Sequence, residues 1–97
     1  MLTIPQIKQT VADYFKDKPV KEVYLFGSYA RGEAREGSDI DLGIIIENKK
    51  MSLWQFAGMA LGLEEILKTR VDLVEINLMH NWVKKGYEED KIVLYAA

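Results

Sequence analysis

Two aspartates one residue apart, Asp39 and Asp41, open an apolar run that continues through Leu42 to Ile46. Ten residues before them stands Gly27-Ser28, which closes another apolar run, Val23-Tyr24-Leu25-Phe26. Between the pairs lie turn-forming glycines and serines and two arginines, Arg31 and Arg35. The pattern forces strand, loop, strand, with charge at the loop end of the second strand. In a strand, residues i and i+2 share a face, so Asp39 and Asp41 project side by side while Ile40 and Leu42 face the other way. Two carboxylates held that close repel, and one tends to take up a proton unless a cation lies between them. Oxygen donors of this kind suit Mg²⁺, which is commonly held by one or two carboxylates together with substrate phosphates and water. Two such ions clamp both the attacking and the leaving oxygen of a phosphoryl displacement.

Gly27-Ser28 supplies the anionic half of the reading, a nucleoside triphosphate. Gly27 follows a strand and lets a ligand approach the backbone. Ser28 suits the N-cap of a short helix starting at Tyr29, whose free N–H groups would face an anion. The Ser28 hydroxyl adds a hydrogen bond to a terminal phosphate, and Arg31, one turn on, is within reach of the same phosphates. The plain alternative is a strand–turn–strand with a solvated acidic tip, since a lone Asp-x-Asp is common in loops. All four residues at this spacing arise by chance in a chain this short on the order of once in a thousand.

Helical spacing of Ile4, Ile7, Val11 and Tyr14 or Phe15, behind Thr3 as cap and Pro5 in the first turn, predicts an amphipathic helix from Thr3 to Phe15 that ends at Asp17-Lys18-Pro19. Strands are predicted over Val20–Phe26 and Asp39–Ile46, with Gly37-Ser38 as the turn into the second and Glu47–Lys50 as a polar break. Ser52 caps a long helix, Leu53 to Lys68, with an apolar stripe of Leu53, Phe56, Ala57, Ala60, Leu63 and Leu67. Trp54, Met59, Leu61 and Ile66 carry apolar surface round the rest of the cylinder. Either the domain buries both sides, or one side meets a partner protein; a small domain has little interior for so much apolar surface. Gly58 and Gly62 each cost about 1 kcal/mol inside a helix, and their spacing allows a close helix contact. Val71–Ile76 is a third strand. Asn77 is a candidate cap for a last helix from Leu78 to Glu89, with Met79, Trp82, Val83 and Tyr87 on one side and Lys84-Lys85 on a solvated face. Asp90–Tyr95 closes the chain as a short strand or tail. His80 reads as a surface or capping histidine. The order α, β, short α, β, α, β, α, β defines an α/β domain with a small mixed sheet flanked by helices.

Ninety-seven residues make one domain, 1–97, with a modest core. The absence of cysteine excludes disulfides and thiolate metal sites, and a single histidine excludes a multi-histidine zinc centre. A net charge of −2 argues against a long nucleic acid as partner, because that binding draws on many lysine and arginine contacts to phosphate. No signal peptide opens the chain and no apolar run is long enough to span a bilayer, so no membrane partner and a cytoplasmic location are expected.

Gly27-Ser28, ten residues, Asp39-x-Asp41 resembles the signature of the nucleotidyltransferase superfamily, whose fold is shared with the beta polymerases. The fuller runs Gly27–Gly32 and Gly37–Leu42 are most similar to the minimal nucleotidyltransferases, the MNT antitoxins that pair with HEPN-domain toxins. The resemblance spans nearly the whole chain. It implies a third carboxylate on a neighbouring strand, and Asp72 matches it, with Glu75 the nearest rival. It implies that Asp39, Asp41 and Asp72 carry catalysis and bind two Mg²⁺ ions, that Gly27, Ser28 and Arg31 hold the nucleotide, and that Asp72 is base or metal ligand at the attacking hydroxyl. It also implies AMP transfer from ATP to a tyrosine of a cognate HEPN toxin, silencing its RNase activity; whether the chain forms a homo- or hetero-oligomer the sequence leaves open. Two other readings stay open. One is a non-catalytic antitoxin acting by occlusion. The other is a nucleotidyltransferase for a small molecule such as an aminoglycoside, or for an RNA end; the missing second domain, which grips base and acceptor in larger relatives, speaks against it.

Overall fold

A computed structural model describes residues 1–47, 51–79 and 81–97, with backbone alone at 81–83, 86 and 87. Helix α1, Ile4–Phe15, starts as its sequence dictates. The Gln6 N–H donates to Thr3 Oγ1 (3.2 Å) and the Thr3 N–H donates to Gln6 Oε1 (2.8 Å), a reciprocal cap with Pro5 in the first turn. Its inner face, Ile7, Val11 and Phe15, is fully buried, and each such side chain contributes roughly 1.5–3 kcal/mol.

Strand β1, Val20–Phe26, leads into the five-residue helix α2, Gly27–Arg31. Strand β2, Ile40–Ile46, returns antiparallel to β1, with Phe26 opposite Asp41 and Leu25 opposite Leu42. Helix α3, Leu53–Leu67, then crosses over to β3, Val71–Glu75, which lies parallel to β2. Parallel neighbours need such a crossover. A 3₁₀ turn, Ile76–Leu78, and helix α4, Asn81–Asp90, precede β4, Ile92–Ala96, antiparallel to β1. The sheet is mixed, in the order β3-β2-β1-β4.

One face of the sheet, with Val23, Leu25, Ile40, Leu42, Ile44 and Leu94, packs under α1 and α3 as the main core. A smaller cluster of Tyr24, Phe26 and Ile76 fills the other face. Gly43 is what lets that cluster close: a β-carbon there would overlap Phe26 Cε2 and stand 2.8 Å from Ile76 Cγ1.

The structure redraws several expected boundaries. Helix α2 begins at Gly27, with Phe26 in the N-cap position and no side-chain cap, so Ser28 lies inside the first turn. The turn before β2 is at Glu36-Gly37, and β2 begins at Ile40, leaving Asp39 just ahead of the strand. Asn77 sits within the 3₁₀ turn, and α4 starts at Asn81. His80, the polar segment 48–50 and the side chains of Trp82, Val83 and Tyr87 lie outside the described residues.

Helix α3 differs most. Its buried ridge is Met59, Leu63 and Leu67, while Leu53 is 81% and Trp54 87% exposed. Both sides are therefore not absorbed by this domain. The two glycines also part company: a β-carbon on Gly62 would press on the Tyr14 ring, 3.2 Å from Cζ, whereas Gly58 faces open space.

No helix among the described residues is long and apolar enough to cross a membrane.

Candidate active site

The acidic face is built by register. Asp41 on β2 is the Cα partner of Asp72 on β3, so the two carboxylates leave neighbouring strands about 4.8 Å apart in the same direction. Their flanking residues confirm the direction: Ile40, Leu42, Val71 and Leu73 are all buried, whereas Asp72 is exposed and Asp41 half-buried. Glu75 falls out of phase with Asp72 and lies toward the end of β3, so the strand period separates the two candidates for a third acid.

Asp39 is one step below Asp41, just before β2. The Ile40 N–H donates to the Arg70 carbonyl (2.9 Å), which extends the ladder and sets Asp39 beside Arg70. Arg70 Nε is 3.7 Å from Asp39 Oδ1. Asp39, Asp41, Arg70 and Asp72 thus occupy four adjacent positions of one sheet face. Arg70 went unnoticed in the sequence, although its place two residues before Asp72 puts it on the same face by strand period alone.

The Asp41 carboxyl is pushed above its ordinary value of 3.8, first by burial, then by the negative charge of Asp72 and of Asp39; Arg31 opposes the shift. The donor set is all oxygen and fits a hard divalent ion in chemistry and direction. Among the described residues, however, no three acidic, histidine or cysteine side chains close around one point as a ready metal cage. Asp39 is turned to Arg70, and the acids form a row. A row suits an ion that completes its shell with substrate phosphates and water.

Gly27 and Ser28 stand directly across from this row, because Phe26 pairs with Asp41. Gly27 has φ +70°, and its missing side chain makes room for Asp41: a β-carbon would overlap Asp41 Oδ2. Glycine is needed here by the neighbouring carboxylate as much as by any ligand. Ser28 is half-buried, and its carbonyl accepts the Glu33 N–H at 2.8 Å. Buried Tyr29 anchors α2 in the core. Arg31 is engaged away from the loop, with Nε 2.6 Å from Glu33 Oε1 and Nη1 3.6 Å from Asp90 Oδ2. It acts on Asp41 through its field, without a direct contact.

A mixed four-stranded sheet with three acids on one face, opposite a Gly-Ser turn, is the framework of a nucleotidyltransferase. The chain belongs to that family, for the family model of the nucleotidyltransferase domain matches residues 4–95. A chain of Methanocaldococcus jannaschii, MJ1379, named provisionally as a protein adenylyltransferase, is 43% identical over 98 residues, covering 95% of this chain and 98% of that one. The protein adenylyltransferase MntA of Thermococcus cleftensis is 36% identical over 89 residues, covering 88% and 89%. Two solved structures share the fold. One is a toxin–antitoxin with AMP-PNP (TM-score 0.81, 22% identity, 93% of this chain and 73% of that chain). The other is a tri-AMPylated Shewanella oneidensis HEPN toxin in complex with its MNT antitoxin (TM-score 0.72, 20% identity, 93% and 70%).

Proposed function

We propose that this chain, acting as one minimal domain of residues 1–97, is a protein adenylyltransferase that moves AMP from ATP to a tyrosine hydroxyl of a HEPN-type toxin partner and thereby silences it, as an antitoxin in the cytoplasm. The observation that carries this reading is the register that makes Asp72 the neighbour of Asp41, with Asp39 on the same face. The names of the two relatives, both protein adenylyltransferases, support the protein acceptor.

Gly27 and Ser28 hold the triphosphate through backbone N–H groups and the Ser28 hydroxyl, while Arg31 adds positive field from one turn away. Asp39, Asp41 and Asp72 would hold two Mg²⁺ ions, which neutralise the phosphates and the charge that develops on the leaving oxygen. Asp72, the most exposed of the three acids, takes the proton of the attacking hydroxyl. The hydroxyl oxygen bonds to the α-phosphorus, the bond to the bridging oxygen breaks, and pyrophosphate leaves. Positioning and charge neutralisation supply most of the acceleration in such a step.

The test is incubation with a HEPN partner, labelled ATP and Mg²⁺, followed by intact-mass analysis of the partner. Added AMP that disappears in the Asp39→Asn/Asp41→Asn double variant supports the reading. Full neutralisation by that variant without any added mass replaces it with occlusion.

A further inference from the structure

Strand β3 is an edge strand, and the hydrogen bonds fix which of its groups face outward. Ile40 N–H goes to the Arg70 carbonyl with Ile40 opposite Val71. In a parallel ladder of that register, residues 70, 72 and 74 bond to β2, and Val71, Leu73 and Glu75 turn their N–H groups away. Val71 confirms it, since its N–H donates to Glu64 Oε1 on α3 at 3.0 Å. Beyond it, the outward N–H groups of Leu73 and Glu75 have no partner among the described residues. Natural sheets seldom leave an edge open in this way.

Beside this edge runs a groove of about 480 Å³, and its apolar walls include Leu53, Phe56, Leu73, Leu78 and Met79. Leu53 and Leu78 are more than four-fifths exposed there. Glu75 is the charged residue on the groove wall, and Asp72 projects from the same strand toward the catalytic face.

We propose that the outer edge of β3 and this groove dock an extended segment of the protein substrate as a fifth strand, apolar on one side and basic at its ends. The proposal rests on the reading of the chain as a protein adenylyltransferase, and it names how the acceptor arrives. A strand paired to β3 lies about 4.8 Å from it and alternates its side chains. One set enters the groove against Leu53 and Phe56. The other set stands beside Asp72 on the catalytic face, where a hydroxyl has to be. The negative charge of Glu75 on the groove wall favours lysine or arginine in the segment.

The probe is a capped peptide in which valine and tyrosine alternate between terminal lysines, titrated into isotopically labelled protein without nucleotide. Amide shifts centred on Leu73 and Glu75 are expected, and a glutamate-ended version of the peptide should bind at least about fivefold more weakly. Leu53→Asp with Leu78→Asp, both at exposed sites, should weaken binding by a similar factor or more. Glu75→Pro should do the same: it deletes an outward N–H and leaves the ladder to β2 intact. Shifts located elsewhere, or no shift at millimolar peptide, overturn the proposal. Adding a HEPN partner with ATP and Mg²⁺ separates it from the reading beneath. Edge binding without AMP transfer leaves the docking surface standing and removes the activity. AMP transfer at an undiminished rate in the groove variants keeps the activity and removes the docking surface.

Discussion

Gly27 and Asp41 occupy one another's space: the position a Gly27 β-carbon would take lies 3.0 Å from Asp41 Cγ and overlaps the carboxylate oxygen. The turn proposed to face the phosphates and the acid proposed to face the cation are therefore one steric unit. Gly27→Ala meets two penalties, the overlap and a φ of +70°, which costs a residue with a β-carbon roughly 1–2 kcal/mol. The expected outcome is a loss of about 2 kcal/mol in urea unfolding and a fall of about 100-fold or more in AMP transfer, since small displacements of a positioned group have effects of that order. An alanine variant of wild-type activity would show that the carboxylate is free to move aside.

Asp41 sets a pH dependence whose sign is fixed by its environment. Its folded-state carboxyl lies above the ordinary value through burial and the charges of Asp72 and Asp39. Between the unfolded and the folded pKa the folded chain binds more protons, so this group adds stability as pH falls through that window and costs stability above it. Asp41→Asn is expected to melt higher than the wild type at pH 7 without divalent ions, with the gap closing as pH falls toward 4. Mg²⁺ should raise the wild-type melting temperature and leave the variant nearly unmoved. Calorimetry at three pH values, with and without Mg²⁺, checks both signs.

Much of this was legible in the residues. Thr3 and Ser52, each followed three residues later by glutamine, announce two helix starts, and both close as reciprocal caps. The alternation sets Asp39 and Asp41 on one face, and the β2–β3 register adds Asp72 to it. What the sequence withheld depends on tertiary contact. Ser28 looked like a cap, but the helix starts two residues earlier than expected, because a glycine at positive φ turns the chain straight out of β1. The apolar stripe of α3 holds at Phe56, Ala60, Leu63 and Leu67 but not at its first turn, where Leu53 is exposed, and Met59 joins the buried ridge; the helix is apolar nearly all round, so periodicity could not set the edges of the buried side. The pairing of Asp39 with Arg70 needed the β2–β3 register, which no local pattern encodes.

The exposed side of α3 makes a prediction about stability and association together. Trp54 and Leu61 are 87% and 66% exposed and lie two turns apart, with Gly58 between them. Trp54→Lys with Leu61→Lys is expected to leave the unfolding free energy within about 0.5 kcal/mol, as surface changes do. If this face meets a partner protein, the same pair should lower the affinity for that partner about 10-fold or more. Equal destabilisation and weakening would mean that the side chains are packed within the domain.

Arg70 and Asp39 give the last test. Their pair is partly exposed, with Nε 3.7 Å from Oδ1, and such pairs are worth at most about 1 kcal/mol. A divalent ion that takes Asp39 Oδ1 as ligand competes with Arg70 for it. Arg70→Ala should therefore tighten Mn²⁺ binding to the nucleotide-free protein by about two- to fivefold, measured by the loss of the free-ion paramagnetic signal. Removing any nearby positive charge would also tighten binding, and a double-mutant cycle separates the two causes. In an Asp39→Asn background the direct competition is gone, so Arg70→Ala should change the affinity little. An undiminished gain in that background would assign the effect to general charge, and Arg70 would then be a bystander at the edge of the acidic face.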